Sequence, residues 1–483
     1  MSEEPERWSR LHPATLAIRA LERLPELVFG LPAAAYFIGD TGFVAALVVA
    51  VIGLVASVFF AFLYWRRFTY WVGGEQLVIE SGILSRNRRT IPFDRIQDIS
   101  LEQKLLARLF GVSIARIETG GGGGDEGELN CISRAAADDL RDRIRAYRAG
   151  AGARETARPE TDDTQAVALF TMNGGRLVVA GLFNFSLIFL AILGGIWQYI
   201  GGYLPSSYFD PDRWVDDYGD QAIGLVSTLS VLSFVMLLLA IGVVTGLART
   251  VAREYGFRLT RTETGLRRER GLFTRTDVVI PLRRVQAAIV STGIVKRLFG
   301  WRALAVQSLG SDGDAGAHHV VAPLAKSDDL RPVLEELDLP MPPDAAEFER
   351  VSPRLIWRSW TEDGLLLVVI VAITALFWGG APWLMLAAPI LLAAPVLQYR
   401  AHGYCISGDV LFVRRGFWWP RITILPLAKA QSVSMVRNLT QQGFGLATLA
   451  IGTAGASLAM PLRILDLDET RARRLFGGKL VTG

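Results

Sequence analysis

The chain alternates between long apolar stretches and segments in which charged and apolar residues mix. The stretches Phe43–Trp65, Leu177–Tyr203 and Ala222–Ala248 contain no charged residue, and Gly364–Tyr399 is a longer uncharged run interrupted by a Gly-Gly-Ala-Pro turn. A shorter stretch, Glu26–Ile38, is joined to the first by a Gly-Asp-Thr-Gly turn. A helix that crosses a membrane needs roughly 20 mainly apolar residues. The pattern therefore predicts six membrane-spanning helices arranged as three hairpins.

Basic residues mark one side of the predicted hairpins. They precede the first helix and follow the second, fourth and sixth, whereas the turns inside the hairpins contain one base, Arg213, among aspartates. The flanking bases are Arg7, Arg10, Arg19, Arg23, Arg66, Arg67, Arg249, Arg253 and Arg400. Since Lys and Arg concentrate in cytoplasmic loops, we expect both termini and all three charged segments to be cytoplasmic.

The charged segments have the pattern of short β-strands bounded by Gly, Asn and Asp. In the first segment the predicted strands are Phe68–Val72, Leu77–Glu80, Arg88–Ile91, Ile96–Leu101, Val112–Thr119 and Glu128–Ile132, followed by an amphipathic helix over Arg134–Tyr147. About six or seven antiparallel strands closed by one helix form a half-open β-barrel, an α+β domain.

Identical spacing of several residues indicates that this unit occurs three times. In each copy a Gly stands ten residues before a Pro, a base follows the Pro by three residues, and a Gln follows it by five. A Phe-Gly pair then ends fourteen residues after the Gln. These residues are Gly82, Pro92, Arg95, Gln97 and Gly111, then Gly271, Pro281, Arg284, Gln286 and Gly300, then Gly416, Pro426, Lys429, Gln431 and Gly445. A requirement of the fold explains such constancy better than a binding site does.

The repeat divides the chain into seven segments. They are 1–66, an interfacial helix with the first hairpin; 67–150, the first barrel domain; 151–164, a linker; 165–250, the second hairpin; 251–346, the second domain; 347–399, the third hairpin; and 400–483, the third domain. Before the hairpins stand Trp8–Leu24, Ala166–Arg176 and Val351–Glu362, where bases mix with apolar residues. Helices lying in the membrane interface explain this pattern. A connector packed into the core is the alternative.

The three copies resemble the bacterial membrane-flanked PH-like domain family, the YdbS/YdbT type, and in their number the three-copy, YdbT-like members. The resemblance rests on an apolar hairpin followed by strands with an I/L-P-x-x-[RK]-x-Q core, at Ile91–Gln97, Ile280–Gln286 and Leu425–Gln431. It implies three cytoplasmic domains of pleckstrin-homology-like fold on a multi-pass α-helical protein of the bacterial inner membrane. It carries no established catalytic activity and no ligand motif. The third copy departs from the pattern at Trp418–Pro420, where a turn is longer.

Composition and motifs give no indication of catalysis. The 483 residues are 51% hydrophobic with a net charge of +4, which suits a membrane protein with basic cytoplasmic segments better than a nucleic-acid-binding protein. The adjacent His318 and His319 are predicted to lie in a polar loop rather than a metal site. Cys131 and Cys405 are expected to be buried and unpaired. We therefore predict no catalytic residue, metal, cofactor or nucleic-acid partner.

Each landmark glycine is followed by apolar residues and then a base, a segment that we call a tip. The tips contain Ile83, Leu84 and Arg86 in the first copy, Leu272, Phe273 and Arg275 in the second, and Phe417, Trp418, Trp419 and Arg421 in the third. Apolar tips ringed by arginine suit shallow insertion into an anionic leaflet, where each base contributes roughly 1 kcal/mol. The alternative is that the apolar residues pack in the sheet or on the next copy and the arginines are solvated.

The sequence is best explained by a non-enzymatic, membrane-anchored scaffold. Its expected partners are the lipid bilayer with its anionic headgroups, a second copy of the chain, and a membrane protein for which a single-copy YdbS-like protein is one candidate. A lipid-handling or transport role is the alternative, although the apolar stretches lack the charges that usually mark an ion pathway. A membrane-bound enzyme would need a polar cluster that the sequence does not reveal.

Overall fold

A computed structural model describes residues 8–22, 42–73, 75–82, 85–119, 127–152, 167–184, 233, 236–262, 265–308, 318–375, 385–386, 388–453 and 462–477. The first copy consists of β1 (Ser9–Arg10), α1 (Ala14–Glu22), α2 (Gly42–Arg67), β2 (Thr69–Val72), β3 (Gln76–Ser81), β4 (Asn87–Pro92), β5 (Ile96–Gln103), α3 (Leu105–Leu109), β6 (Val112–Thr119), β7 (Gly127–Ser133) and α4 (Arg134–Gly152).

The later copies repeat this order. The second consists of β8 (Ala168–Thr171), α5 (Gly174–Phe183), α6 (Met236–Glu254), β9 (Arg258–Arg261), β10 (Gly265–Arg270), β11 (Arg275–Pro281), β12 (Val285–Ser291), α7 (Ile294–Leu298), β13 (Arg302–Ser308), β14 (His318–Ala325) and α8 (Ser327–Glu336). The third consists of β15 (Glu349–Arg350), α9 (Arg354–Ala375), α10 (Ala388–Ala401), β16 (Gly403–Ser407), β17 (Val410–Arg415), β18 (Arg421–Pro426), β19 (Ala430–Val436), α11 (Leu439–Phe444), β20 (Leu446–Thr453), β21 (Leu462–Asp468) and α12 (Glu469–Phe476).

In the first and third copies, strands of two sheets share one hydrophobic core. In the first copy, Leu77 and Ile79 on β3 lie two residues apart and so share the inner face. Ile117 on β6 and Leu140 on α4 belong to the same buried cluster, so the closing helix covers the core. The third copy has an equivalent core that includes Leu411, Leu449 and Ala472. The predicted strands and closing helix are therefore present.

The sheets are shared between copies, which the sequence did not predict. The first four strands form the sheet β1-β2-β3-β4, and the last three form β19-β20-β21. Between them lie two seven-stranded sheets, ordered β7-β6-β5-β11-β10-β9-β8 and β14-β13-β12-β18-β17-β16-β15. The second sheets of the first and second copies thus continue, edge to edge, into the first sheet of the next copy. Three independent half-open barrels are not the correct description.

The chain divides into two compact units. One contains Thr171–Arg258 and Arg270–Phe273, and the other contains the remaining residues. In the smaller unit, α5 and α6 pack closely, because a side chain at Gly181 would lie 2.5 Å from Leu247 and Asn184 Nδ2 donates to Thr250 Oγ1 at 3.0 Å. Small residues permit such close approach between helices.

The prediction of six membrane-spanning helices as three hairpins is wrong. In the part of the chain that the structure describes, one helix, Met236–Glu254, is long and apolar enough to cross a membrane. Helix α9 carries four charges in its first ten residues, and α10 spans only 14 residues. Helix α5 spans 10 residues, and residues 185–232, which form most of the second predicted hairpin, lie outside the described residues. The side chains of α2 are described chiefly from Val51 onward. The first predicted helix of that hairpin, Glu26–Ile38, lies outside the described residues. The uncharged stretches of the sequence therefore predicted more membrane-spanning helices than the described residues contain.

The segments before the predicted hairpins contribute to the sheets and the hydrophobic cores. In Trp8–Leu24, Ser9 and Arg10 pair with Tyr70 and Thr69, and Ala166–Arg176 contains strand β8 at the edge of its sheet. In Val351–Glu362, Val351 and Leu355 belong to the core of the third copy. Helix α1 buries Ala14 and Ile18 in a cluster with residues of α3, β6 and β7. These contacts favour the core-packed connector that the sequence left open.

The landmark glycines have a conformational role. Gly82, Gly271 and Gly416 have φ values of 110°, 112° and 86°, in the region that side chains rarely adopt. At Gly82, an added Cβ would lie 1.9 Å from the carbonyl oxygen of Ser85. Their constant spacing is therefore a requirement of the turn that forms each tip.

Candidate functional site: an apolar and basic patch at a junction between copies

The third tip joins β17 to β18 and exposes two tryptophans. Gly416 begins the turn, and the Phe417 and Trp418 rings form an edge-to-face pair with centroids 5.4 Å apart. Trp418 is 58% exposed and Trp419 is 72% exposed. Large aromatic side chains usually bury most of their surface. Their exposure at one turn therefore makes this tip a candidate binding surface.

Pairing between copies places helix α7 beside the third tip. Arg421 pairs with Ser291 across β18 and β12, and Thr292 N donates to Pro420 O at 2.9 Å. Helix α7 begins two residues after Thr292, and its neighbour Gly293 would carry a Cβ 3.9 Å from Trp419 Cδ1. The second copy therefore contributes to the same surface as the third tip.

Helix α7 is itself strongly apolar on its exposed side. Leu298 is 76% exposed, and Val295 and Phe299 are also exposed. Together with the two tryptophans they form a surface that we call the junction patch: Val295, Leu298, Phe299, Trp418 and Trp419. Exposed apolar patches on a protein surface commonly serve as protein or membrane contacts, so the junction patch is a candidate contact surface.

Arginines crowd beside the junction patch. Arg415 and Arg421 stand directly opposite each other on β17 and β18. Burial lowers the pKa of Arg415, and the charges of Arg463 and Arg421 lower it further. Burial also lowers the pKa of Arg414, with Arg350 and Arg297 adding to the effect. Like charges placed opposite each other destabilise a sheet unless an anion lies between them.

These arginines have no carboxylate partner among the described residues. The ion pairs of the described residues engage other bases, so Arg297, Arg415 and Arg421 are available to an external anion. Arg414 differs, because its Nε donates to Ala401 O at 3.1 Å and its guanidinium lies 4.9 Å from the Phe348 ring. We call Arg297, Arg414, Arg415 and Arg421 the arginine cluster.

The cluster also fixes the charge state of nearby histidines. Burial, followed by the charges of Arg415 and Arg414, lowers the pKa of His402 to about 4. Burial and Arg421 lower the pKa of His318. Both histidines are therefore neutral near pH 7, so that the positive charge of this region comes from arginine.

The second tip has a different environment. Gly271 N donates to Tyr255 O at 2.8 Å, and Leu272 N donates to Ala252 O at 3.0 Å, so this turn packs against the end of α6. Leu272 is half-buried, whereas Phe273 is exposed. Arg275 pairs with Glu269 at 3.0 Å. Packing thus accounts for Leu272, and only Phe273 stays available for contact among the apolar residues of this tip.

The first tip is only partly described. Ile83 and Leu84 lie outside the described residues, and Arg86 is exposed. The repeated Pro-x-x-base-x-Gln motif also differs between copies. Arg284 and Gln286 are buried, whereas Arg95 and Gln431 are exposed and Lys429 is half-buried. A motif with such unequal environments forms no common binding site.

Sequence reasoning missed the exposed apolar residues of the short helices that follow the second sheet's first strand. In the first copy, Leu105, Leu109 and Phe110 on and after α3 are exposed, as their counterparts are on α7. The repeated Leu-Phe-Gly sequence, at Leu109 and Leu298, was treated only as a landmark. A helix of five residues is too short for an apolar face to be recognised from periodicity.

Other polar features are already occupied. A groove of about 770 Å³ is lined by Glu349, Arg354, Asp468 and Arg471, but its charges pair with one another. His318 and His319 lie on strand β14, not in the predicted polar loop. Within the described residues no group of three or more His, Cys, Asp or Glu side chains is arranged to hold a metal.

Comparison with known proteins agrees with the repeat. A family model described as bacterial PH domain matches residues 26–148, 213–340 and 363–476. A Bacillus subtilis (strain 168) protein named transmembrane protein YdbT is 25% identical over 501 residues, which cover 98% of this chain and 97% of that protein. No solved structure matches the chain.

Proposed function

Because this chain belongs to the bacterial PH domain family, we propose that it is a membrane-associated, non-enzymatic scaffold that contacts anionic lipid through the junction patch and the arginine cluster. The observation that carries the proposal is the exposure of Trp418 and Trp419 beside Arg415 and Arg421. Tryptophan is favoured at membrane interfaces because its ring is apolar and its N–H is polar.

Exposed helix surfaces support the membrane association. On α2, Val51, Ile52, Val55 and Phe59 are exposed, and on α9 so are Leu365, Leu366, Val369 and Ile373. Water would penalise such surfaces by roughly 25 cal/mol per Å², whereas lipid would not. The relative's name, a transmembrane protein, points the same way.

We place the sheets on the cytoplasmic face of a bacterial inner membrane. Helix α2 ends in Arg66 and Arg67, immediately before β2, and α10 carries Arg400 in its last turn, before β16. Bases at these positions favour the cytoplasmic side. That leaflet carries the anionic lipid whose phosphate suits the space between Arg415 and Arg421.

The magnitude of the proposed contact follows from its charges. Each base near an anionic surface contributes about 1 kcal/mol, so that Arg415 and Arg421 together favour anionic over zwitterionic lipid by about 2 kcal/mol, or roughly 30-fold. Lysine at either position would retain most of this preference, because the effect depends on charge.

A photo-crosslinking experiment tests the proposal in intact membranes. We would replace Trp418 with p-benzoyl-phenylalanine and use Asp409, exposed at the opposite end of β17, as the control position. The proposal predicts phospholipid adducts at Trp418 and none at Asp409. The double variant Arg415→Gln and Arg421→Gln should lower the anionic share of the adducts, and the double Lys variant should restore it. Protein adducts without lipid at Trp418 would contradict lipid contact and favour a partner protein.

A further inference from the structure

The two junctions between copies use one structural rule. Strand β11 of the second copy pairs antiparallel with β5 of the first, and β18 of the third pairs antiparallel with β12 of the second. At both junctions, the strand that ends at the landmark proline pairs with the strand that follows the equivalent proline of the preceding copy. The junction is therefore a repeated edge-to-edge sheet contact.

The register is also the same at both junctions. Arg275, six residues before Pro281, pairs with Gln103, eleven residues after Pro92. Arg421, five residues before Pro426, pairs with Ser291, ten residues after Pro281. In antiparallel strands one step forward on one strand is one step back on the other, so these pairs belong to a single register.

This rule leaves one edge of each kind without a partner among the described strands. Strand β4, the counterpart of β11 and β18, ends the sheet β1-β2-β3-β4. Strand β19, the counterpart of β5 and β12, begins the sheet β19-β20-β21. An uncovered edge presents a row of backbone donors and acceptors that can pair with another strand.

The side chains show that β19 is the uncovered form of a joined strand. Six consecutive residues of β12 include five that are buried, whereas no residue of β19 is buried and Gln431, Ser432, Ser434 and Val436 are exposed. The clearest case is the motif glutamine, which is buried as Gln286 and exposed as Gln431.

Strand β19 lacks the charge and the proline that usually protect an edge. Its register shift between Ala430 and Ser432 recurs at the equivalent place in β5 and β12, which pair with another copy nevertheless. Its sequence, AQSVSMV, contains no charge and no proline. Natural edge strands are commonly protected by lysine, proline or a bulge that prevents pairing. Arg437 follows the strand, but its charge is paired with Glu469 at 2.8 Å. Neither β19 nor Arg437 therefore presents an unpaired positive charge that would repel a basic strand.

We propose that β19 binds strand β4 of a second copy of this chain, in the register of the two internal junctions. That register pairs Val433 with Thr90, Ser434 with Arg89, and Val436 with Asn87 of the second molecule. The occupant is a second copy because the complementary edge belongs to the same chain and both ends have the geometry that the internal junctions already use. Such a head-to-tail contact is heterologous, so it builds rings or open rows.

Disulfide trapping in native membranes tests the register directly. Chains carrying Thr90→Cys are co-expressed with differently tagged chains carrying Val433→Cys, and mild oxidation is followed by a non-reducing gel. Directly opposite residues in antiparallel strands have Cα atoms roughly 4.5–5.5 Å apart, within the range of about 4.4–6.8 Å that a disulfide can bridge. The matched control replaces Val433→Cys by Ala430→Cys, three residues along the same strand. The proposal predicts a two-tag band with Val433→Cys that is several times stronger than with Ala430→Cys.

Charge substitutions at Ser434 supply a second readout that leaves the cysteines in place. Ser434 is exposed and would face Arg89 of the second molecule. Ser434→Lys should lower the trapped fraction and Ser434→Glu should raise it, each by roughly two- to fivefold, because opposed like charges destabilise and opposite charges stabilise a cross-strand pair. Because both variants change the same exposed position, damage to the fold would affect them alike.

Three results would overturn the inference. The first is equal trapping at Val433 and Ala430 in membrane-inserted protein. The second is an unchanged trapped fraction in both Ser434 variants. The third is a Val433→Cys adduct with a different protein and none with the second tag, which would assign the edge to another partner. Lipid adducts at Trp418 are independent of all three, so the proposed function and this inference can fail separately.

Discussion

Asp277 is the charged centre of the junction between the first and second copies. Arg267, on the neighbouring strand β10, donates to its carboxylate through Nε at 3.0 Å and Nη2 at 2.9 Å. Arg141, on α4 of the first copy, donates through Nη1 at 3.3 Å. Burial alone would raise the pKa of Asp277, but the hydrogen bond from Arg267 and the charges of both arginines outweigh it and hold the pKa below its ordinary value. The carboxylate thus links the two copies in its charged form.

The substitution Asp277→Asn should weaken this junction substantially. The side chains of Arg141 and Asp277 are 11% and 16% exposed, so the substitution leaves a buried guanidinium without its anion. Removing one partner of a buried pair costs about 3–5 kcal/mol. Asparagine keeps one acceptor oxygen, and Arg141 keeps its bond to Ile99 O at 3.0 Å. We therefore expect a loss of about 2–3 kcal/mol at the junction.

Hydrogen exchange followed by mass spectrometry measures this loss locally. Amides of β5 and β11 should exchange roughly 30- to 150-fold faster in Asp277→Asn, because each 1.4 kcal/mol changes an opening equilibrium tenfold. The matched control is Asp139→Asn, which removes an exposed pair to Arg143 at 2.9 Å on the same helix α4. That pair is worth at most about 0.5 kcal/mol, so exchange should change by about twofold or less.

One result would refute this reasoning. If β5 and β11 exchange in Asp277→Asn within about threefold of the wild type, the ion cluster does not hold the junction and the strand pairing alone does. Equal acceleration in the Asp139→Asn control would likewise show that loss of any charge on α4, rather than the buried pair, loosens the sheet.

Two further predictions concern the junction of the second and third copies. His402 has a pKa lowered to about 4 by burial, Arg415 and Arg414, so the stability that its neutral form provides is complete above about pH 6.5 and is lost as pH falls toward 4. The midpoint of thermal unfolding should therefore fall over this range, and His402→Gln should flatten the fall; an unchanged slope would contradict the assignment. Gly416→Ala should lower the same midpoint more than Gly300→Ala. Both glycines have positive φ, at which alanine is strained by about 1–2 kcal/mol. Only at Gly416, however, would the new Cβ lie 2.6 Å from a carbonyl oxygen, that of Trp419. Equal shifts would show that backbone strain alone limits the tip.

Local pattern predicted much of the fold. Short β-type runs over Leu77–Glu80 and Ile96–Leu101 placed β3 and β5 within a residue or two of their observed bounds, and the closing helix of the first copy starts at Arg134 as expected. The landmark glycines were recognised from spacing, and the structure supplies their reason in positive φ values. These features are decided by residues close in sequence, which is why the sequence contains them.

Features decided by contacts distant in sequence were not predicted. Nothing in the sequence of β12 states that its neighbour is β18, because a period of two fixes which side chains are buried and leaves the partner strand open. The same limit affected the tips. Trp418 was named as a candidate contact residue and is exposed. Val295 and Leu298 were not named, because only the pairing of Ser291 with Arg421 brings helix α7 to the third tip. Uncharged runs also overestimated membrane-spanning helix, since composition does not show where a helix ends.

Because the copies pair edge to edge, the strands at the two ends of the array matter more for further pairing than the number of copies does. Each added copy covers one open edge and supplies another of the same kind, so a tandem array of any length keeps one strand like β4 and one like β19. Natural proteins cover or charge such edges, because an open apolar edge invites aggregation. Strand β4 carries Asn87, Arg88 and Arg89, whereas β19 carries no charge. Pairing a basic strand with an uncharged one brings no like charges together. Head-to-tail contact between two molecules would therefore cover both edges at once.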